Sequence, residues 1–244
     1  MFGSKNVQMR DQNPFLGREV KSRRGGKVKE PLSRDRIVDE ALQLLTSEGL
    51  DGMSLRAVAT ALETGPASLY AYVDNLDALR ALVLDKALAD VDTSTNRRRS
   101  WRSRVKAVLE SYVRVLLGTP GLAQLALSTI AAGPNSLRII EALLDALDDG
   151  GIDSGTSAWA VDLLLLYVTA IGAEQTQRDP ATPPTGPIAH ALQAASVDEF
   201  PRVHAARAEL LSGEGTDRFE WAIDTLIAGV LSNRRSAKRT APKK

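Results

Sequence analysis

Residues 54–79 read SLRAVATALETGPASLYAYVDNLDAL, and this stretch decides the fold. Ser54 has the side chain of a helix N-cap, and Leu55, Val58, Ala59 and Leu62 recur at the spacing of one helix face. They predict a short helix from Ser54 through Leu62. Glu63-Thr64-Gly65 then reads as a tight turn. Pro66 suits the first position of a further helix, where the missing N–H would have no intrahelical partner anyway. That helix is predicted over 66–72, and Asn75 caps a longer one over 76–91, with Asp77 favourable in its first turn. Two short helices joined by a tight turn are what a helix-turn-helix needs: one helix supports the other, which lies in the major groove of DNA. Val58, Ala59 and Leu62 can support Leu69, and Ala59 is small enough for close packing. Gly65 sits in the turn and Pro66 opens the second helix, and both belong to the candidate DNA-contact set. Thr64, Ala67 and Ser68 open the second helix, the part that meets base edges. Tyr70 and Tyr72 can reach phosphates through their hydroxyls, and Ser54 and Arg56 belong to the same candidate contact set.

Working upstream, Ser33 caps a helix to Glu48 with Ile37, Ala41, Leu44 and Leu45 on one face, and Gly49 is its stop. Residues 1–31 are polar and basic without sustained periodicity and read as a flexible arm. Downstream, the polar, Arg-rich stretch 92–100 marks a boundary. Helices are then predicted over 101–117, 121–131, 135–148, 156–177, 187–195, 198–212 and 216–233. Breakers separate most of them: Thr119-Pro120-Gly121, Gly133-Pro134, Gly150-Gly151 and the prolines from Pro180 to Pro187. That last wedge reads equally as a rigid link or a lid. No strand alternation and no internal repeat is present, so the fold class is all-α. The reading head occupies 32–78, a larger helical ligand-binding and dimerisation domain 79–233, and a basic tail 234–244.

Net charge is only +1, but it is unevenly placed. Residues 1–36 hold ten Lys or Arg against four acids, and 234–244 hold six with none. The body over 37–233 has 15 bases and 26 acids. Basic ends touch nucleic acid or simply stay solvated. The acidic body argues against a protein that coats DNA, which needs a broad positive surface. The arginines 97, 98, 99, 102 and 104, with Lys106, read as a solvated loop rather than a DNA patch. There is no Cys, so disulfides and thiolate metal sites are excluded. No apolar leader opens the chain, and the apolar run over 159–173 is shorter than a typical spanning helix. These features predict a cytoplasmic protein without a membrane partner.

The segment from Ser33 to Val91 resembles the DNA-binding region of the TetR/AcrR family of regulators. The matching residues are Glu48-Gly49-Leu50, Met53-Ser54-Leu55-Arg56-Ala57-Val58-Ala59, Gly65-Pro66-Ala67-Ser68-Leu69-Tyr70, and Asn75 to Leu79. The resemblance implies a repressor that binds a palindromic operator in double-stranded DNA as a homodimer and is released by a small-molecule effector. A ligand-responsive activator remains an alternative. Two departures matter: where the family usually has an aromatic after a His or Tyr, this chain has Val73 after Tyr72, and where it carries a phosphate-binding Lys after the fourth-helix cap, this chain has Leu76. The arm, with Arg23, Arg24, Lys27 and Lys29, is expected to compensate electrostatically.

Two-fold doubling gives a small reading head its specificity, so a dimer surface is expected. The most apolar helices, 156–177 and 216–233, are the candidates, with Leu163, Leu166, Trp221, Leu226, Ile227 and Val230 named for it. Trp101, Tyr112, Trp159, Tyr167 and Glu174 are the candidate effector-pocket residues. An all-helical enzyme is the rival class. The chain offers no phosphate-cradling loop, no HExxH and no nucleophile elbow, and Asp148-Asp149 reads as a solvated helix end. His190 and His204 lie outside metal-ligand spacing. Neither a catalytic residue, a cofactor nor a metal is predicted.

Overall fold

The computed structural model describes residues 13–15, 31–94, 96–177 and 186–233. All regular elements among the described residues are helical. They are α1 (Arg34–Gly52), α2 (Leu55–Ala61), α3 (Pro66–Leu69), α4 (Leu76–Ala87) with a 3-10 turn (Leu88–Asp90), α5 (Trp101–Gly118), α6 (Leu122–Ser128), α7 (Pro134–Asp149), α8 (Ser154–Gln177), α9 (Gly186–Ala194), α10 (Pro201–Leu211) and α11 (Gly215–Ser232). The arm (13–15 and 31 apart), the tail and most of the proline wedge lie outside the described residues.

The expected caps are in place. Ser33 Oγ accepts from Arg36 N at 3.2 Å, Ser54 Oγ from Ala57 N at 3.1 Å, and Asn75 Oδ1 from Ala78 N at 2.8 Å. Each such bond satisfies an N–H that the helix itself cannot and is worth about 1 kcal/mol. Gly49 leaves helical conformation with φ 75°, although helical turns resume as far as Gly52. α4 gives way to its 3-10 turn after Ala87, and α6 and α3 each stop three residues short of their predicted ends. In α6, Ser128 Oγ turns back to the carbonyls of Gln124 and Leu125 (3.0 and 3.2 Å), and Thr129 is extended. α3 closes after one turn because Tyr72 N and Val73 N both donate to Leu69 O at 2.9 Å.

The described residues divide into two compact units, one ending at Thr176 and one beginning at Gln177. In the first, Ile37, Ala41, Leu45, Val58, Ala59 and Leu69 form the core of the reading head. α4 packs on α1 and also on α6 and α7, joining the head to the helical body. There α5 and α7 run together and bury Val105, Val108, Leu109, Ile139, Leu143 and Leu147. Arg104 corrects the solvated-loop expectation. It is 1% exposed and ion-paired to Asp145 and Asp149. Arg97 reaches Asp145 as well, at 2.7 Å. Asp149 is therefore engaged rather than merely solvated. The cause is electrostatic: α7 ends in acids at its negative dipole end with no base in its last turn, and α5 supplies the cation.

α8 is 24 residues long, longer than its apolar run suggested, and by length and composition it could cross a membrane; half of that stretch is buried within the chain. In the second unit, α9 and α10 pack together and α11 buries Ile223 and Ile227. Glu214 and Asp217 form a reciprocal capping box at the start of α11.

Candidate DNA interface and effector cavity

The turn between α2 and α3 is closed by two backbone bonds. Glu63 N donates to Thr60 O at 2.9 Å, and Thr64 N donates to Ala59 O at 2.8 Å. This pair is a Schellman motif, which requires a left-handed residue just past the helix. That residue is Glu63, with φ 49°. Gly65 lies at the end of the predicted turn but does not supply its left-handed residue. Gly65 is extended (φ −82°, ψ 146°) and is the N-cap of α3. A Cβ on it would meet nothing within 4 Å. The chain's own packing therefore gives no reason for a glycine there.

Leu69 is fully buried, as are Val58 and Ala59 of α2, on which α3 packs. This fixes the inward side of α3 and turns Gly65, Pro66, Ala67 and Ser68 to the surface. Tyr70 is 52% exposed, and Thr64 and Tyr72 are half-buried. Arg56 is exposed on α2, whereas the Ser54 oxygen is engaged in capping that helix. The sequence-predicted contact residues thus gather around one short helix of small side chains, with hydroxyls and one guanidinium at its margins.

A cavity of 420 Å³ lies among α5, α6, α7 and α8. Its walls are mostly aliphatic, including Leu127, Ile140, Leu144, Val161 and Leu165, with polar groups from Tyr112, Asp162 and Thr169. The Tyr112 hydroxyl and Thr169 Oγ1 are 2.9 Å apart in a buried hydrogen bond. Burial pushes the Tyr112 pKa above its usual value, and the Thr169 bond opposes this only in part. Of the five predicted pocket residues, Tyr112 lines the cavity. Trp101 packs on Gly150 and carries the Arg102 guanidinium 4.8 Å from its ring centre. Trp159 is 64% exposed. Tyr167 is half-buried, its pKa raised by burial and then by the Glu174 charge; neither of these two lines the cavity. The lining residues on α8, at 158, 161, 162, 165 and 169, share one helix face. An Asp within that apolar face was the overlooked signal.

Of the named dimer residues, Leu163 and Leu166 are exposed on α8, Leu166 at the cavity as well. With Trp159 they form an i, i+4, i+7 stripe. On α11 Trp221 is 71% exposed, Leu226 and Val230 are half-buried and Ile227 is buried. Among the described residues no group of three metal-ligating side chains occurs.

The cavity helices reach the reading head. At the start of α6, Gly121 has φ 77°, and a Cβ there would lie 2.8 Å from Leu45 Cδ1 and 3.2 Å from Leu45 O of α1. α7 begins against Asp85 of α4, and Lys86 of α4 pairs with Asp39 of α1. A cavity whose walls touch the supports of a helix-turn-helix defines a class: DNA-binding regulators with a built-in sensing domain.

Comparison with known proteins agrees. The family model described as "Tetracyclin repressor-like, C-terminal domain" matches residues 94–234, more than half of the chain. An HTH-type transcriptional regulator of Saccharopolyspora erythraea is 34% identical over 125 residues, covering 51% of this chain and 53% of that one. The HTH-type transcriptional repressor DrrR1 of Streptomyces coeruleorubidus is 29% identical over 159 residues, 65% of this chain and 59% of that one. The chain thus spans between half and three-fifths of these curated relatives. Among solved structures, the TetR family protein ActR of Streptomyces coelicolor, in complex with actinorhodin, superposes with a TM-score of 0.76 at 35% identity, covering 84% of this chain and 100% of that one. The chain belongs to the TetR family of helix-turn-helix transcriptional regulators.

Proposed function

We infer that the protein is a homodimeric, sequence-specific repressor that leaves its operator when a small molecule fills the cavity. The observation that carries this reading is structural continuity: the cavity and the reading head lie in one compact unit, joined through α6 on α1 and α7 on α4. Residues 32–78 read DNA through Thr64, Gly65, Pro66, Ala67, Ser68, Tyr70 and Tyr72, with Ser54 and Arg56 at the edge. Residues 79–233 sense and dimerise, the exposed α8 stripe and Trp221 meeting the second copy. The ends, 1–31 and 234–244, add nonspecific phosphate attraction. The protein performs no catalysis and works in the cytoplasm. The effector is a largely apolar molecule of drug-like size with a group that bonds to the Tyr112 and Thr169 hydroxyls. Actinorhodin, bound by ActR, is a starting compound. Whatever the effector, it must bind the DNA-incompetent arrangement better than the competent one.

The test is binding to DNA upstream of the protein's own coding region, against a scrambled duplex, over a salt series. Tight, selective binding with two protomers per site, weakened by salt, supports the reading. Equal binding to both duplexes leaves only electrostatics and refutes sequence specificity.

A further inference from the structure

Three parts of the first unit converge on Gly133, the N-cap of α7. A Cβ on this buried glycine would overlap both Asp85 Cγ of α4 and Phe15 Cε1 of the N-terminal segment. Only a bare glycine admits both. Neither Gly133 nor Pro134 has a side chain that can cap α7, and the cap comes from α4 instead. Asp85 is 5% exposed, and its carboxyl group accepts from Asn135 N and Ser136 N at 3.0 Å each and from Ser136 Oγ at 3.1 Å. Asn135 Nδ2 returns a bond to the Asp85 carbonyl at 2.9 Å. Phe15 is half-buried, and its backbone N–H donates to Asn13 Oδ1 at 2.9 Å.

These bonds give α7 defined attachments. Its first turn is tied to α4, its last turn is held by Arg104 of α5, and between them Ile140 and Leu144 line the cavity. The residue after Asp85 is Lys86, whose ion pair reaches α1. A ligand that displaces α7 must either carry α4 along or break several bonds in a buried place, each costly to leave unmade.

We propose that Asp85, with Phe15 packed over Gly133, is a positioning residue that makes α4 and the first turn of α7 move together, coupling cavity to reading head and placing the N-terminal segment in the switch. This rests on the regulator reading above. The test is amide hydrogen exchange on the full chain, free and bound to a duplex that the protein selects from a randomised pool. In the wild type, DNA changes exchange over α7 by about fivefold or more, the lower range of allosteric coupling. Asp85→Ala abolishes that difference while still binding DNA. Asp85→Asn, which keeps an acceptor for the Ser136 N–H, restores part of it, and Phe15→Ala reduces it. A merely structural residue would speed exchange in free and bound protein alike and leave the difference intact. Should Asp85→Ala not fold, the other two variants carry the test. An α7 response equal to wild type in every folded variant, with DNA binding retained, overturns the proposal alone. Failure of the wild type to enrich any duplex overturns the regulator reading, and the junction with it.

Discussion

Gly65→Ala separates what the fold needs from what DNA needs. At φ −82° and ψ 146° any residue is comfortable, and the added methyl enters open space. Two small terms remain on the stability side. Ala is the poorer N-cap by about 1 kcal/mol. Against this, the substitution restricts the unfolded chain, a gain of about 0.4–1 kcal/mol. They nearly cancel, so Tm should move by no more than about 3 °C. On the DNA side the methyl enters the surface read as facing the groove. Crowding a close-packed contact costs about 1–3 kcal/mol. That converts to a loss of about 5–150-fold in Kd. Thermal melts and fluorescence anisotropy with a cognate duplex give both numbers. The salt dependence should keep its slope, because no charge changes. An unaltered Kd in a normally folded variant would refute the placement of the α3 N-terminus against DNA. A large fall in Tm would instead show that the fold requires this glycine.

Glu63→Gly should stabilise the free protein by up to about 1 kcal/mol, because the left-handed Glu63 carries a steric cost that glycine lacks, partly offset by the looser unfolded chain. A lower Tm would mean that the Glu63 side chain holds the turn. Arg104→Ala should cost about 2 kcal/mol and lower Tm by about 4–8 °C, as it opens a void and takes the cation from Asp149, while Asp145 keeps Arg97. Arg104→Met, which refills the space, should be milder, and equal losses in the two variants would show that volume is irrelevant there. Tyr112→Phe bears on pH. The folded pKa of Tyr112 lies above the unfolded value near 10, so its contribution is fully present below pH 10 and fades as pH rises through the folded pKa. Urea midpoints should therefore fall more steeply above pH 10 in wild type than in Tyr112→Phe, and parallel curves would remove the assignment.

The reading head was legible because its signals are local. Ser33, Ser54 and Asn75 cap the helices that follow them, and Pro66 starts α3, each within a few residues of the group it serves. Within the turn Glu63-Thr64-Gly65, the sequence does not show which residue is left-handed; a glycine is the usual mark, and here Glu63 adopts that conformation. Arg104 and Asp85 were illegible for a different reason. Their partners stand 41–51 residues away, and no local pattern announces a cap or counter-ion supplied by another helix. The cavity failed by residue type. Large aromatics drew attention to Trp101 and Trp159, whereas the wall is built from Leu, Ile, Val and Ala around Tyr112.

α8 shows why composition misled about its role. Ala160, Leu164 and Val168 are buried, Ala158, Asp162 and Leu165 line the cavity, and Trp159 and Leu163 are exposed, with Leu166 both exposed and at the cavity rim. A helix used on three sides has apolar residues all round, which makes it resemble a membrane span while each side has separate work. The physical consequence is a linkage. If the outward stripe meets a second copy, the residues touched by an effector and those touched by the partner sit one position apart on a single stiff rod. A tilt of α8 then acts on both contacts, and by reciprocity the effector alters dimer affinity by the same factor by which dimerisation alters effector affinity. At the far wall of the cavity, α7 lines the space with Ile140 and takes its cap from Asp85 of α4. The cavity is thus bounded by α7, tied to α4 through Asp85, and by α8, whose outward side carries the exposed apolar stripe.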